Sequence, residues 1–311
     1  MTFPSPTVTP PTLANWQWEY NSVTLGNETP YAVLGVEGLG GLGAAIRSGD
    51  VPLPRDFGEA KGLDLYAGRD ILFDLWMHPS GLSLQAMQVQ LGKATGAQPN
   101  EELPLWFQLP TLPIMCSMCR PRKREGKVDS DYASGGVWKP ELALHATDSR
   151  LYGRGLSATA SAESAVTGGL TFPATAPFTF GSTLPATIEA HNEGNTEMRP
   201  IAILTGPLNT PRICNASISG EPTIELARPS GEEPTIKAGD QALIDFGNPH
   251  RLLYYPGGIA SGAEPEDIAQ WLTFSSTWWD LLAETVNRVT FRVSSATAGT
   301  MELQWAPAWY L

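Results

Sequence analysis

Short apolar runs separated by turn residues recur along almost the whole chain. Tyr31 to Val36 (YAVLGV), Ile71 to Met77 (ILFDLWM), Leu105 to Leu109 and Glu141 to Ala146 (ELALHA) lie in the first half. Ile201 to Leu204, Leu243 to Phe246, Arg288 to Val293 and Met301 to Trp305 lie in the second. Each is apolar or alternating and is bounded by Gly, Pro, Asn or Asp, which predicts strands. Strands at such spacing predict sandwiches or barrels. Leu82 to Leu91 (LSLQAMQVQL) alternates apolar residues with Ser and Gln, but Leu, Gln, Met and Ala suit a helix equally well, and both readings stand. Near the C-terminus Ser261 with Glu264 has the form of a capping box, followed by Ile268, Trp271 and Leu272 at helical spacing, and predicts a helix. A second short turn is expected from Trp278 to Glu284. The fold class that follows is all-β, with one or two short helices.

The stretch between Tyr152 and Phe172, GRGLSATASAESAVTGGLTF, is small, polar and Gly-rich and carries no core stripe. It divides the chain into an N-terminal β domain over 1–153, a linker over 154–170 and a C-terminal β domain over 171–311. No internal repeat is visible at a period of about 20–50 residues.

Composition narrows the function classes. Gly 31 and Pro 27 are too many and too evenly spread for a helical bundle, while 42% hydrophobic content is too rich for a disordered chain. No apolar run approaches the roughly 18 residues of a membrane span, and MTFPSPTVTPPTL lacks the basic and apolar regions of an export signal. The expectation is a soluble chain without membrane insertion. The net charge of −12 opposes binding to duplex DNA or an anionic membrane. The first 153 residues hold 12 basic and 16 acidic side chains, so no basic domain hides behind the average. Cys116, Cys119 and Cys214 are too few for a disulfide framework, which suits synthesis in a reducing cytoplasm.

Candidate chemistry is sparse. Gly38, Gly40 and Gly43 in VEGLGGLGAA form a GxGxxG, but Gly49, Pro52 and Pro54 leave no room for the helix that would receive a pyrophosphate, and a glycine-rich bend is expected instead. Cys116 and Cys119 form a CxxC that suits half a zinc site or a redox turn; no second pair completes it, because His78, His145, His191 and His250 are scattered. On an extended segment the two thiols would point to opposite faces, as free or buried cysteines. Arg120, Arg122, Lys123, Arg124 and Lys127 make a basic run, read as a solvated loop or charged edge strand, or as a contact for an acidic protein partner ahead of nucleic acid. Ten tryptophans suit cores and subunit interfaces, with a sugar-stacking surface as the alternative. Neither GxSxG nor HExxH occurs, and Asp129 with Asp131, and Glu264 with Glu266 and Asp267, read as loop acids. The expectation is a protein without catalytic residues, metal or cofactor.

Taken in order, several segments resemble the distal tail protein family of phages with long non-contractile tails, in particular the forms from phages of actinobacteria. Trp18 to Leu39 (WEYNSVTLGNETPYAVLGVEGL) resembles the family's first strands. Arg47, Asp50, Pro54, Arg55 and Gly58, then Gly68, Arg69 and Asp70 ahead of ILFDLW, resemble its next signature. RPRKR followed by ATDSRLY is similar to the end of its first domain. Asn192 to Asn215, KAGDQALIDF, RLLYYPGG and the closing WAPAWY are similar to its second. The resemblance implies a virion protein at the distal end of the tail. It implies an N-terminal belt domain that forms a ring, with six copies expected, and an outer galectin-like β-sandwich. The ring would join the tail tube protein to the tip hub, with the tape measure protein and host cell-wall glycan as further partners. Interface residues expected on this reading are Arg47, Asp50, Arg55, Arg69, Arg120, Arg122, Lys123 and Arg124. The competing reading is a carbohydrate-binding module or host-receptor adhesin that uses the outer domain. A hydrolase acting on cell-wall polymer is a further, weaker alternative.

Overall fold

The computed structural model describes residue 3 and residues 8–40, 45–53, 57, 59–79, 81–97, 102–162, 186–232, 234–247, 249–294 and 298–310. The chain is all-β apart from two short helices and two 3-10 turns, and its strand pairings are antiparallel among the described residues. It forms two compact units, Met1–Gly155 with Ala308–Leu311, and Leu156–Pro307.

The first unit opens with β1 (Gln17–Tyr20), β2 (Val23–Gly26) and β3 (Tyr31–Glu37). Two short ribbons follow, β4 (Ile46–Arg47) with β7 (Leu65–Tyr66) and β5 (Val51–Pro52) with β6 (Glu59–Ala60). Then come β8 (Arg69–Met77), α1 (Leu84–Ala94), β9 (Leu103–Gln108), β10 (Met115–Lys127), α2 (Ser130–Gly135), β11 (Lys139–Ala146) and β12 (Leu151–Tyr152). The main sheet runs β2-β1-β9-β10-β11-β8-β3. β10 belongs to both halves: Met115–Cys119 pairs with β9, and Arg120–Lys127 pairs with β11 after a bulge at Arg122. The two halves thereby share one core, in which Trp18, Tyr20, Leu105 and Phe107 meet Ile71, Phe73, Leu142 and Leu144. Strict alternation explains β8: Ile71, Phe73, Leu75 and Met77 are buried, while Asp70, Leu72, Asp74 and Trp76 are exposed.

The segment that the sequence left open between strand and helix is α1. Ser83 caps it, its hydroxyl accepting from the Ala86 N–H at 3.2 Å, and Met87, Leu91 and Ala94 bury one stripe.

The second unit holds a six-stranded sheet, β13-β22-β15-β18-β19-β20, built from β13 (Leu156–Ser161), β15 (Ile201–Thr205), β18 (Gln241–Asp245), β19 (Arg251–Tyr255), β20 (Glu266–Asp267) and β22 (Thr300–Trp305). A four-stranded sheet runs β14-β21-β16-β17, from β14 (Ala186–Asn192), β16 (Arg212–Asn215), β17 (Thr223–Glu225) and β21 (Thr285–Arg292). The Trp305 indole N–H donates to the His191 carbonyl at 3.0 Å and ties β22 to β14. Three fully buried asparagines hold the irregular segment around Leu281. Asn287 accepts from the Leu282 N–H and donates back to its carbonyl, Asn215 donates to Asp280 O and to the Asn287 side chain, and Asn192 donates to Leu281 O. The closing strand β23 (Ala308–Trp309) then pairs with β12 in the first unit.

Three expectations need correction. Leu156–Ser161, assigned to a linker for its small polar residues, is a strand paired with β22 over its whole length, because alternating Ala and Thr suit a half-covered edge. The helix expected after Ser261 does not form. Pro265 disfavours helical backbone at Glu264, the Ser261 hydroxyl donates to Gly258 O, and Glu266–Asp267 pairs with β19. Trp278 to Glu284 likewise forms no helical turn, since Leu281 bridges to Met198 and Asn287 takes the Leu282 backbone groups.

Candidate functional site

The ribbons β4–β7 form an arm that leaves the first unit between β3 and β8. It is held by few ladder bonds. Gly49 and Gly62 let its two sides meet, since a Cβ on Gly62 would fall 2.0 Å from the Gly49 carbonyl oxygen. The Gly62 N–H donates to the Asp50 carboxylate at 2.7 Å, and this bond holds that carboxyl below its usual range. At the root Tyr66 stacks on Tyr310, with centroids 4.3 Å apart. Large apolar side chains stand in solvent along the arm: Ile46 is 67% exposed, Val51 62% and Leu63 74%. An isolated ribbon of this kind is marginal in water, and large apolar side chains left exposed along it make the arm a candidate contact site.

The sheet beside the arm has two open sides. Among the described residues no strand pairs with the far edge of β3 or with that of Arg120–Lys127 in β10. One rung of the outward face of this sheet is acidic. Asp74 lies opposite Glu141, and Glu141 opposite Glu125, so three carboxylates share one rung. Like charges directly opposite are unfavourable. Lys123 offsets them, its ammonium lying 3.0 Å from Glu125 and 3.1 Å from Glu141, and these bonds raise the pKa of the lysine. On the neighbouring rungs Glu37 lies opposite Leu72, and Asp70 is bonded to His145 at 2.6 Å.

The expected interface residues separate into groups. Arg47 and Asp50 are exposed on the arm; Arg122 and Lys123 are exposed on β10, and Arg120 is half-buried there. Arg124 lies on the same strand but turns to α1, donating to Gly92 O at 3.0 Å. Arg55 lies outside the described residues. Arg69 is not a surface residue: its guanidinium is fully buried and donates to Ser149 O and Gly38 O. It locks the arm root, because three hydrogen bonds to carbonyls offset part of the cost of burying the charge.

The remaining candidates have structural settings. Gly38 takes φ +85°, and a Cβ there would meet Asp70 O at 2.0 Å; Gly43 lies outside the described residues. Cys116 and Cys119 are free thiols on opposite faces of β10, one packed with Trp106 and Met118 and one in the main core, and burial pushes both thiols up. Asp129 caps α2, and Asp131 pairs with Lys139 at 2.8 Å. In the second unit Trp271, Trp279 and Trp305 are buried, and half-buried Trp278 is stacked under His250 at 4.0 Å. A sugar platform needs an open ring face, which the three buried rings do not offer. Sequence reasoning missed the arm and the sharing of β10 between two half-sheets; the exposed Ile, Val and Leu around the Gly and Pro of residues 45–65 were the available signal.

No protein-family model matches the chain, and no curated protein matches it by sequence. Solved structures do. The chain is similar in fold to the SPP1 Dit protein, described as a paradigm of the hub adsorption apparatus in phages infecting Gram-positive hosts, with TM-score 0.56 and 12% identity over 94% of this chain and 98% of that one. A second match is to the baseplate of phage P2 in its activated conformation with Ca, at TM-score 0.48 and 10% identity over 93% and 97%.

Proposed function

We propose that this chain is a structural virion protein of the distal tail, of the type carried by phages of actinobacteria. It forms a ring at the tail tip that joins the tail tube protein above to the tip hub and host-binding parts below. The observation that carries the reading is likeness in fold to the SPP1 Dit hub protein over nearly the full length of both chains. A fold alone does not fix a function. The first unit adds physical support, because an apolar arm and two open sheet edges on one copy are surfaces that a heterologous, closing interface would cover. On this reading the first unit is the belt of the ring and the second an outer, galectin-like domain. The protein acts through contact area, with no bond made or broken. Arg47, Asp50, Arg120, Arg122 and Lys123 lie in or beside the contacts between copies, and the net charge of −12 suits a conduit for a polyanion. Sedimentation equilibrium of the purified chain tests the reading. Six copies of 33.4 kDa give a species of about 200 kDa. A monomer at every concentration would count against ring formation.

A further inference from the structure

We infer that the open edge of β10 receives β3 of a second copy, antiparallel, in the register that sets Glu37 of one copy opposite Lys123 of the next. The inference rests on the ring reading above and names its junction. Four strands in the order β10-β11-β8-β3 run antiparallel to their neighbours, so β3 and β10 point in opposite directions at the two ends of the sheet. A second copy set edge to edge in the same orientation therefore continues the antiparallel ladder across the junction.

The faces fix the register to an even number of residues, because a shift of one would turn buried side chains outward. Outward positions at the β10 edge are Arg120, Lys123, Glu125 and Lys127, opposite His145, Ala143, Glu141 and Lys139. Outward positions at the β3 edge are Ala32, Gly35 and Glu37, opposite Trp76, Asp74 and Leu72. Following the rungs across the sheet, the line through Leu72 and Ala143 carries Glu37 at one end and Lys123 at the other. A slip in one direction would set Glu37 against Glu125, adding a carboxylate to a rung that already holds three.

The β3 edge is open only in its second half. The Trp16 indole N–H donates to Val33 O at 3.3 Å, and the Thr29 hydroxyl serves both backbone groups of Tyr31. Beyond the bulge at Leu34, which is itself 63% exposed, Gly35–Glu37 carries no such cover among the described residues. The β10 edge is longer and is basic at Arg120, Arg122, Lys123 and Lys127, so its charge is complementary to a strand that ends in Glu37.

The test uses the full chain. Either reversal alone, Glu37→Lys or Lys123→Glu, is expected to raise the concentration for half-assembly about tenfold or more, and the two together to return it to within about threefold of the unaltered chain. Because Lys123 also neutralises its own rung, a second measurement stands apart from it. Glu37→Cys combined with Lys123→Cys places two Cα atoms about 4.5–5.5 Å apart, within disulfide reach. Mild oxidation is expected to give a ladder of covalent multimers, with none from either cysteine alone. Assembly that survives both reversals, with no ladder, overturns the register and leaves the ring standing. An unaltered chain that stays monomeric overturns both.

Discussion

Replacing Ile46, Val51 and Leu63 together with serine removes apolar surface from the arm without touching the core. The fractional exposures of 67%, 62% and 74% amount to about two whole side chains in water. Burying that surface against another copy is worth about 3–6 kcal/mol per arm. Incomplete burial trims this, so about 3 kcal/mol is the expected loss, or roughly a hundredfold in the association constant per junction. The isolated chain should hardly notice, since exposed substitutions generally fall within about 0.5 kcal/mol. Sedimentation equilibrium of both proteins over a wide concentration range, with urea melts as the control, separates the two effects. A triple variant that assembles at the same concentration as the unaltered chain would refute the argument that the arm is covered in the assembly. A fall in monomer stability of several kcal/mol would refute the view that these side chains are idle within one copy.

Three further outcomes test the packing within each unit. Burial alone would raise the Asp148 carboxyl, but the hydrogen bonds and charge of Arg150, with the Tyr152 hydroxyl, hold it below its usual value of 3.8. A depressed carboxyl stabilises above its unfolded pKa and loses that contribution as pH falls through the folded one. Breaking this buried pair with Asp148→Asn should cost about 3–5 kcal/mol at pH 7, and the gap to the unaltered chain should narrow below pH 3.8 in urea melts; a gap that does not vary with pH contradicts it. Gly126→Ala would place a methyl 2.2 Å from the Trp138 ring, whose backbone is pinned to Met77, and should cost about 1–3 kcal/mol with a change in tryptophan emission; an unchanged melt contradicts the close contact. Asn287→Leu strands the Leu282 N–H and carbonyl and one Asn215 contact, so a loss of about 2–4 kcal/mol is expected by thermal melting, and a neutral result would deny the buried amide network.

Strands were the most legible feature, because a two-residue period such as that of Arg69–Met77 writes the buried face directly into the sequence. The helix at Leu84–Ala94 was ambiguous from pattern, since its Gln and Leu residues fit both periods; the Ser83 cap and the buried Met87, Leu91 and Ala94 resolve it. Arg69 misled because a charged residue beside an aspartate reads as surface, and only the fold brings the Ser149 and Gly38 carbonyls around it. The CxxC was readable in its negative sense, as opposite strand faces separate the thiols. The arm was invisible to periodicity because ladders of two residues are too short to write one. Its exposed Leu63 and Val51 acquire meaning only when the fold shows that they stay exposed among the described residues of the first unit. The acidic rung was equally hidden, since Asp74, Glu125 and Glu141 are far apart in sequence and meet only through strand pairing.

Imaging the assembled phage particle that contains this chain tests the central claim most directly. A closed ring of this fold at the distal end of the tail, with first units in edge contact around the channel, is the expected result. Finding the chain as isolated copies on the capsid or along the tail shaft, or finding it missing from the particle, would contradict the account.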